Sequence, residues 1–270
     1  MIQDFYVFDN IIGNFIQYNT RLKRYSNGDL NLIHTSYIQY KGKPNNNKKN
    51  GSSSAEQLER YKLKRLHNRR ALIYDLGYEN NCIDPWKYFV TLTFNDKKTN
   101  GYDFDNCTNK LKNWLDTIRR NNPNMKYIIV PELHKSGRIH FHGLFTNVPN
   151  WQLSVAINPK TNKPIVENGS IIYNLVNYKL GFSTISVIKN KEAVIYYITK
   201  YITKELLDKR YKKNYWCSRN LVKPNIDYYF TRNINDLYSY LNRHNEFITS
   251  DKSIQHVNNV THFIRTSHNI

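Results

Sequence analysis

Hydrophobic and polar positions divide the middle of the chain into short strands and amphipathic helices. Lys87–Phe94 (KYFVTLTF) is rich in β-branched and aromatic residues, the composition of a central strand. Phe104, Leu111, Trp114, Leu115 and Ile118 recur at helical spacing, and Asn121-Asn122-Pro123 ends that helix. Tyr127–Leu133 and Arg138–Phe145 predict two strands joined by a short turn. Residues 151–175 predict a further hairpin turning at Asn158-Pro159-Lys160-Thr161-Asn162, followed by a strand over Phe182–Ile188 and a helix over Lys191–Leu207. This order predicts an α+β fold, a central antiparallel sheet with helices packed on one face.

The flanks are less regular. Apolar runs at Phe5–Phe8 and Leu30–Tyr40, with a turn at Asn27-Gly28, predict a small β element. Residues 41–54 (KGKPNNNKKNGSSS) have the composition of a flexible linker. A helix is predicted from about Ser54 to Leu76, with Ser54 as N-cap and Gln57 three residues on. Residues 209–216 (KRYKKNYW) are basic and aromatic, and the pattern beyond them is ambiguous. No apolar run reaches the roughly 18 residues of a membrane helix, and the N-terminus lacks a basic stretch followed by an apolar one. The expectation is a cytoplasmic protein with no membrane partner.

Charge changes the picture. The chain carries 40 Lys and Arg against 21 Asp and Glu, a formal net charge of +19. Such a field attracts polyanions. Ten of the basic residues crowd into 41–70 with only Glu56 and Glu59 against them, a density suited to backbone phosphates. The 22 Tyr, 12 Phe and 4 Trp supply faces that stack on unpaired bases. The three cysteines are widely spaced and form no Cys-x-x-Cys pair, which argues against structural zinc and a disulfide framework.

His140-Phe141-His142 lies in the second predicted hairpin strand. Residues two apart on a strand share a face, so both imidazoles point together. If Lys135-Ser136-Gly137 is a three-residue loop, Glu132 stands opposite His140 and joins them; another loop length flips it away. Two imidazoles and a carboxylate leave coordination positions for phosphate oxygens, and Mg²⁺ or Mn²⁺ there polarises a phosphate. On the helix over 191–207, Ile195, Ile198, Ile202 and Leu206 form a core stripe, while Tyr197 and Tyr201 share another flank with Lys200 and Lys204 beside them. A phenol has a pKa of about 10, so it needs nearby cations and a polarised phosphate to act as a nucleophile.

Taken together, VTLTF (90–94), Glu132 with GRIHFHGLF (137–145), and YITKYITK (197–204) resemble the three motifs of rolling-circle replication initiators of the His-hydrophobic-His (HUH) type. The likeness is nearest to initiators of microvirus-like single-stranded DNA phages, and SRNLVKP (218–224) resembles a segment found after the third motif there. The resemblance covers roughly 60–225. It implies a catalytic domain over 55–225 related to the RNA-recognition fold, flanked by 1–54 and 226–270. It also implies metal ligands Glu132, His140 and His142, and paired catalytic Tyr197 and Tyr201 with companion Lys200 and Lys204. The implied reaction nicks single-stranded origin DNA, leaves a 5′-phosphotyrosine and a priming 3′-hydroxyl, and later rejoins the strand. No G-x-x-x-x-G-K-[ST] loop is present, so a host helicase and DNA polymerase are the expected partners, in host cytoplasm if the protein is viral. A plasmid relaxase or tyrosine transposase would share this chemistry. An inert single-strand-binding module would need no aligned Glu132, His140 and His142, and a metal hydrolase leaves the net charge unexplained.

Overall fold

The computed structural model of the chain describes residues 11–12, 15–42, 54–149, 151–167, 169–207, 214–256 and 259–268. The aromatic run at Phe5–Phe8 and most of the basic linker lie outside them. The chain forms two compact units, one from residues 1–52 with 224–270 and one from 53–223. In chain order the first elements are β1 (Ile11–Ile12), β2 (Phe15–Arg24), β3 (Leu30–Lys41), α1 (Ala55–Ile83), β4 (Tyr88–Leu92) and α2 (Phe104–Asn121). Then come β5 (Tyr127–Leu133), β6 (Ile139–Phe145), β7 (Leu153–Val155), β8 (Val166–Glu167), β9 (Ser170–Ile171), β10 (Tyr173–Leu175) and β11 (Ser183–Val187). The last are α3 (Lys191–Thr199), β12 (Trp216–Cys217), β13 (Asn225–Tyr229), α4 (Ile234–Arg243), β14 (Phe247–His256) and β15 (Asn259–Ser267).

The 53–223 unit is built on an antiparallel sheet of order β12-β5-β6-β4-β11-β10-β7. The predicted excursion at 151–175 returns through β7 and β10, which pair with each other, and β8 and β9 form a small hairpin of their own. Its turn at Asn158–Asn162 is present, with Asn162 at φ 53° and its N–H donating to the Asn158 carbonyl.

The expectation of helices on one face needs correction. Tyr127, Ile129, Phe141 and Phe145 pack with Cys107, Leu111 and Leu115 of α2. Ile128, Val130 and Leu144, on the opposite face, pack with Ile73 of α1 and Ile195 and Ile198 of α3. The physical reason lies in β5 and β6, which are apolar at successive positions and so need cover on both sides. The face under α1 and α3 is the one that carries Glu132, His140 and His142.

Helix α1 starts as predicted, with the Ser54 side chain accepting from the Gln57 N–H at 3.2 Å, but runs on to Ile83. Its extension is the buried part: Ile73, Leu76 and Gly77 face α3 and the sheet. A Cβ at Gly77 would stand 2.8 Å from the Ile195 Cγ2 methyl, so the absence of a side chain sets how closely α3 can approach. The Gly77 carbonyl also accepts from the Trp86 indole N–H at 2.7 Å.

The other unit pairs sequence from both flanks in one sheet of order β1-β2-β3-β15-β14, with β13 against β2. Leu22, Leu30, Leu32 and Ile264 pack on Leu237, Tyr240 and Leu241 of α4. Its polar interior joins His34 Nδ1 to the hydroxyls of Thr20 (2.8 Å) and Thr231 (3.1 Å). Burial, with His262 nearby, holds the His34 imidazole down at about 4.

Gly77→Ala is expected to destabilise the 53–223 unit by about 1–3 kcal/mol, because the buried Ile195 methyl has no room to yield; thermal unfolding would measure it. The unfolded chain takes up a proton near pH 6.5 that folded His34 refuses, so this group's contribution is full above pH 6.5 and is lost towards pH 4. The loss is up to about 3 kcal/mol, read by urea unfolding of wild type and His34→Gln at the two ends of that window.

Candidate metal centre and tyrosine pair

The connection between β5 and β6 is a three-residue loop, Lys135-Ser136-Gly137. The His134 N–H donates to the Arg138 carbonyl at 2.9 Å, and the Gly137 N–H to the His134 carbonyl at 2.7 Å. Gly137 has φ 84°, a conformation costly for any residue with a Cβ. Register follows: Glu132 opposes His140 and Val130 opposes His142. Glu132, His140 and His142 therefore converge, each offering a ligand atom within 4.8 Å of the others. Glu132 Oε2 lies 2.8 Å from His142 Nε2 and 3.8 Å from His140 Nδ1. This cluster can hold a divalent ion: its donors are two imidazole nitrogens and a carboxylate, a set that suits Mn²⁺ and Mg²⁺ alike.

His142 is held on several sides. It is 6% exposed, and its Nδ1 lies 3.0 Å from the Thr91 hydroxyl on β4, directly opposite in the sheet. A hydroxyl both donates and accepts, so Thr91 can serve either imidazole tautomer. Burial lowers the His142 pKa, against the raising effect of its bond to Glu132. Burial likewise lowers His140, which Glu132 partly offsets. Both rings therefore stay neutral to a lower pH than an ordinary imidazole, the state in which a nitrogen can bind a metal.

Helix α3 begins where the Asn190 side chain accepts from the Ala193 N–H at 2.9 Å. Ile195, Ile198, Ile202 and Leu206 are fully buried, as the predicted stripe requires. The helix does not reach Leu207, however. It ends at Thr199, whose hydroxyl donates to the Tyr196 carbonyl at 2.7 Å, and the following N–H groups turn to i−3 acceptors. Arg70 of α1 takes the Ile202 carbonyl at 3.0 Å, satisfying an acceptor that a continued helix would have used internally. A 3₁₀ turn at Glu205–Leu207 follows.

Ending the helix early brings the tyrosines together. The Tyr201 hydroxyl donates to the Tyr197 hydroxyl at 2.7 Å. The Tyr201 ring lies face to face with His142, centroids 3.7 Å apart and planes 11° from parallel. Phe89 touches both groups, with centroids 5.9 Å from His142 and 5.6 Å from Tyr197. Burial and the bond to Tyr197 push the Tyr201 phenol well above its ordinary pKa. The Lys200 ammonium lies 5.4 Å from the Tyr197 ring centre. The Lys204 ammonium instead pairs with the Glu59 carboxylate of α1. Tyr196 turns away to pack on Tyr74, centroids 4.8 Å apart.

Sequence reasoning missed Thr91, Phe89, Glu59 and Arg70. Alternation in KYFVTLTF already puts Phe89 and Thr91 on one face. The missing information was that β4 lies beside β6.

Residues 87–206 match a family model of replication-associated proteins, the ORF2 family. The match runs from β4 to the 3₁₀ turn and so contains the Glu/His/His cluster and both tyrosines. It supports the reading of the chain as a rolling-circle replication initiator. No curated protein and no solved structure matches the chain. Among the described residues, no helix is long and apolar enough to cross a membrane.

Replacing Thr91 by Val keeps the shape and removes the hydroxyl. Mn²⁺ affinity measured by calorimetry is expected to fall about 10- to 100-fold, as for other partners that orient a metal-binding imidazole, while Glu132→Ala loses more.

Proposed function

We propose that this chain is a two-tyrosine, HUH-type initiator, similar to those of microvirus-like phages, that nicks and rejoins single-stranded origin DNA. One observation carries the proposal. The paired hydroxyls of Tyr197 and Tyr201 stand against the same imidazole, His142, that meets Glu132 and His140. Nucleophiles and an ion-binding cluster thus share one place, in a chain of net charge +19.

Glu132, His140 and His142 would hold Mg²⁺ or Mn²⁺, which supplies Lewis-acid polarisation of the scissile phosphate. Tyr197 makes the first attack. Its oxygen accepts the Tyr201 hydrogen bond, which stabilises the phenolate, and Lys200 offsets negative charge as the phosphorus becomes five-coordinate. The new Tyr197 O–P bond replaces the P–O3′ bond, and the proton lost by the phenol is balanced by the one gained on the departing 3′ oxygen. The strand keeps its 5′ phosphate on the protein and its 3′-hydroxyl primes a host DNA polymerase, with unwinding left to a host helicase. Tyr201, a hydrogen bond away, attacks the regenerated origin without diffusion of a second molecule. Lys204, held by Glu59, contributes by fixing the turn that carries Tyr201.

The test uses 5′- and 3′-labelled single-stranded origin DNA with Mn²⁺, scored for a denaturant-stable adduct. Tyr197→Phe is expected to remove most first-round adduct. Tyr201→Phe slows it about 10- to 100-fold, the effect of one hydrogen bond to a charged acceptor, and the double variant forms none. His140→Ala and His142→Ala abolish cleavage while DNA binding, driven by backbone charge, largely persists. Undiminished adduct in the double tyrosine variant would refute the proposal.

A further inference from the structure

Next to Tyr197 lies a cavity of about 520 Å³ that the reaction above does not use. Its walls are the β8–β9 hairpin, the end of β11 and one side of α3. The floor is apolar, with Phe89, Ile172 and Val194. Tyr196 and Tyr197 form one rim, and Lys189 and Lys200 add two cations. Across from them the hairpin brings Glu167 and Ser170. The Lys189 ammonium donates to the Gly169 carbonyl at 2.9 Å, tying the hairpin tip to the strand that leads into α3. Gly169 has φ 69°, so the tip depends on a residue without a Cβ.

We infer that this cavity receives a single unpaired nucleotide flanking the scissile phosphate, and that the hairpin reads its base. The inference rests on the nicking reading above. The volume suits one small planar ligand with its sugar. Aromatic and apolar walls stack on a base of any kind, and the two lysines complement the phosphates on either side of it. Glu167 is an acceptor without a donor when ionised, so it favours a base edge bearing an amino group over thymine. Tyr197 belongs to both places: its ring lines the cavity and its oxygen meets Tyr201. A base seated here would leave its own phosphate beside the nucleophile. The excursion between β6 and β11 would then select where the cut falls.

Two measurements separate this inference from the nicking reading. In EDTA, where no cleavage occurs, the full chain is titrated into an oligo(dT) carrying one 2-aminopurine. Wild type is expected to quench its fluorescence saturably, and Ser170→Leu, which fills the mouth, to weaken that quenching at least about tenfold, the effect of losing one stacked base. Anisotropy of the same oligonucleotide reports overall binding. With Mn²⁺ and a randomised single-stranded pool, the bases flanking the tyrosine-linked phosphate are then sequenced. Glu167→Gln is expected to lose the preference at one flanking position only. Equal quenching by wild type and Ser170→Leu would overturn the pocket whether or not adducts form. So would an unchanged flanking preference in Glu167→Gln. Absence of adduct with intact, Ser170-dependent quenching would count against the nicking reading and leave the pocket standing.

Discussion

The pairing of Glu132 with His140 across β5 and β6 is the constraint on which the site depends. A strand offers only two faces, and one residue more or less in the connecting loop moves the carboxylate to the wrong one. Gly137 settles the matter by adopting a backbone conformation that closes the loop in three residues. From there the order is forced. Glu132 reaches both imidazoles, Thr91 meets His142 from the adjacent strand, and the ring of His142 becomes the surface on which Tyr201 rests. A few ångströms of backbone geometry thus couple a hairpin turn to the placement of a phenol far along the chain.

Helix packing supplies the other half. Tyr197 and Tyr201 approach the cluster only because α3 lies close to α1 and then stops. Gly77 permits the close approach, and Arg70, by capturing the Ile202 carbonyl, makes the stop tolerable. The basic helix that reads in the sequence as a phosphate-binding element is therefore also a scaffold: Glu59 holds Lys204, and Ile73 helps bury α3.

Much of this was legible in the sequence because it is local. Alternation put His140 and His142 together, the Ser136-Gly137 turn suggested the loop, and the Ile195, Ile198, Ile202 stripe announced the buried side of α3. What was not legible is set by partners distant in the chain. Nothing near Thr91 says that it faces His142, and nothing near Thr199 says that the helix ends there, since the residue that makes the ending acceptable is Arg70. The continuous apolar character of β5 and β6 did carry the signal for cover on both faces. Antiparallel sheets commonly leave one face to solvent, and that general tendency points the other way.

The shared sheet of β2, β3, β15 and β14 has a consequence for how the chain reaches its native state. The 53–223 unit is contiguous and can collapse as soon as it is made. The other unit is split, and β3 must wait for β15, which lies beyond the whole of the 53–223 unit, before its edge is paired. Loop closure over that distance is slow unless the intervening chain is already compact. Synthesis from the N-terminus therefore imposes a sequence of events, with the catalytic unit folding first and drawing together the ends that complete its neighbour.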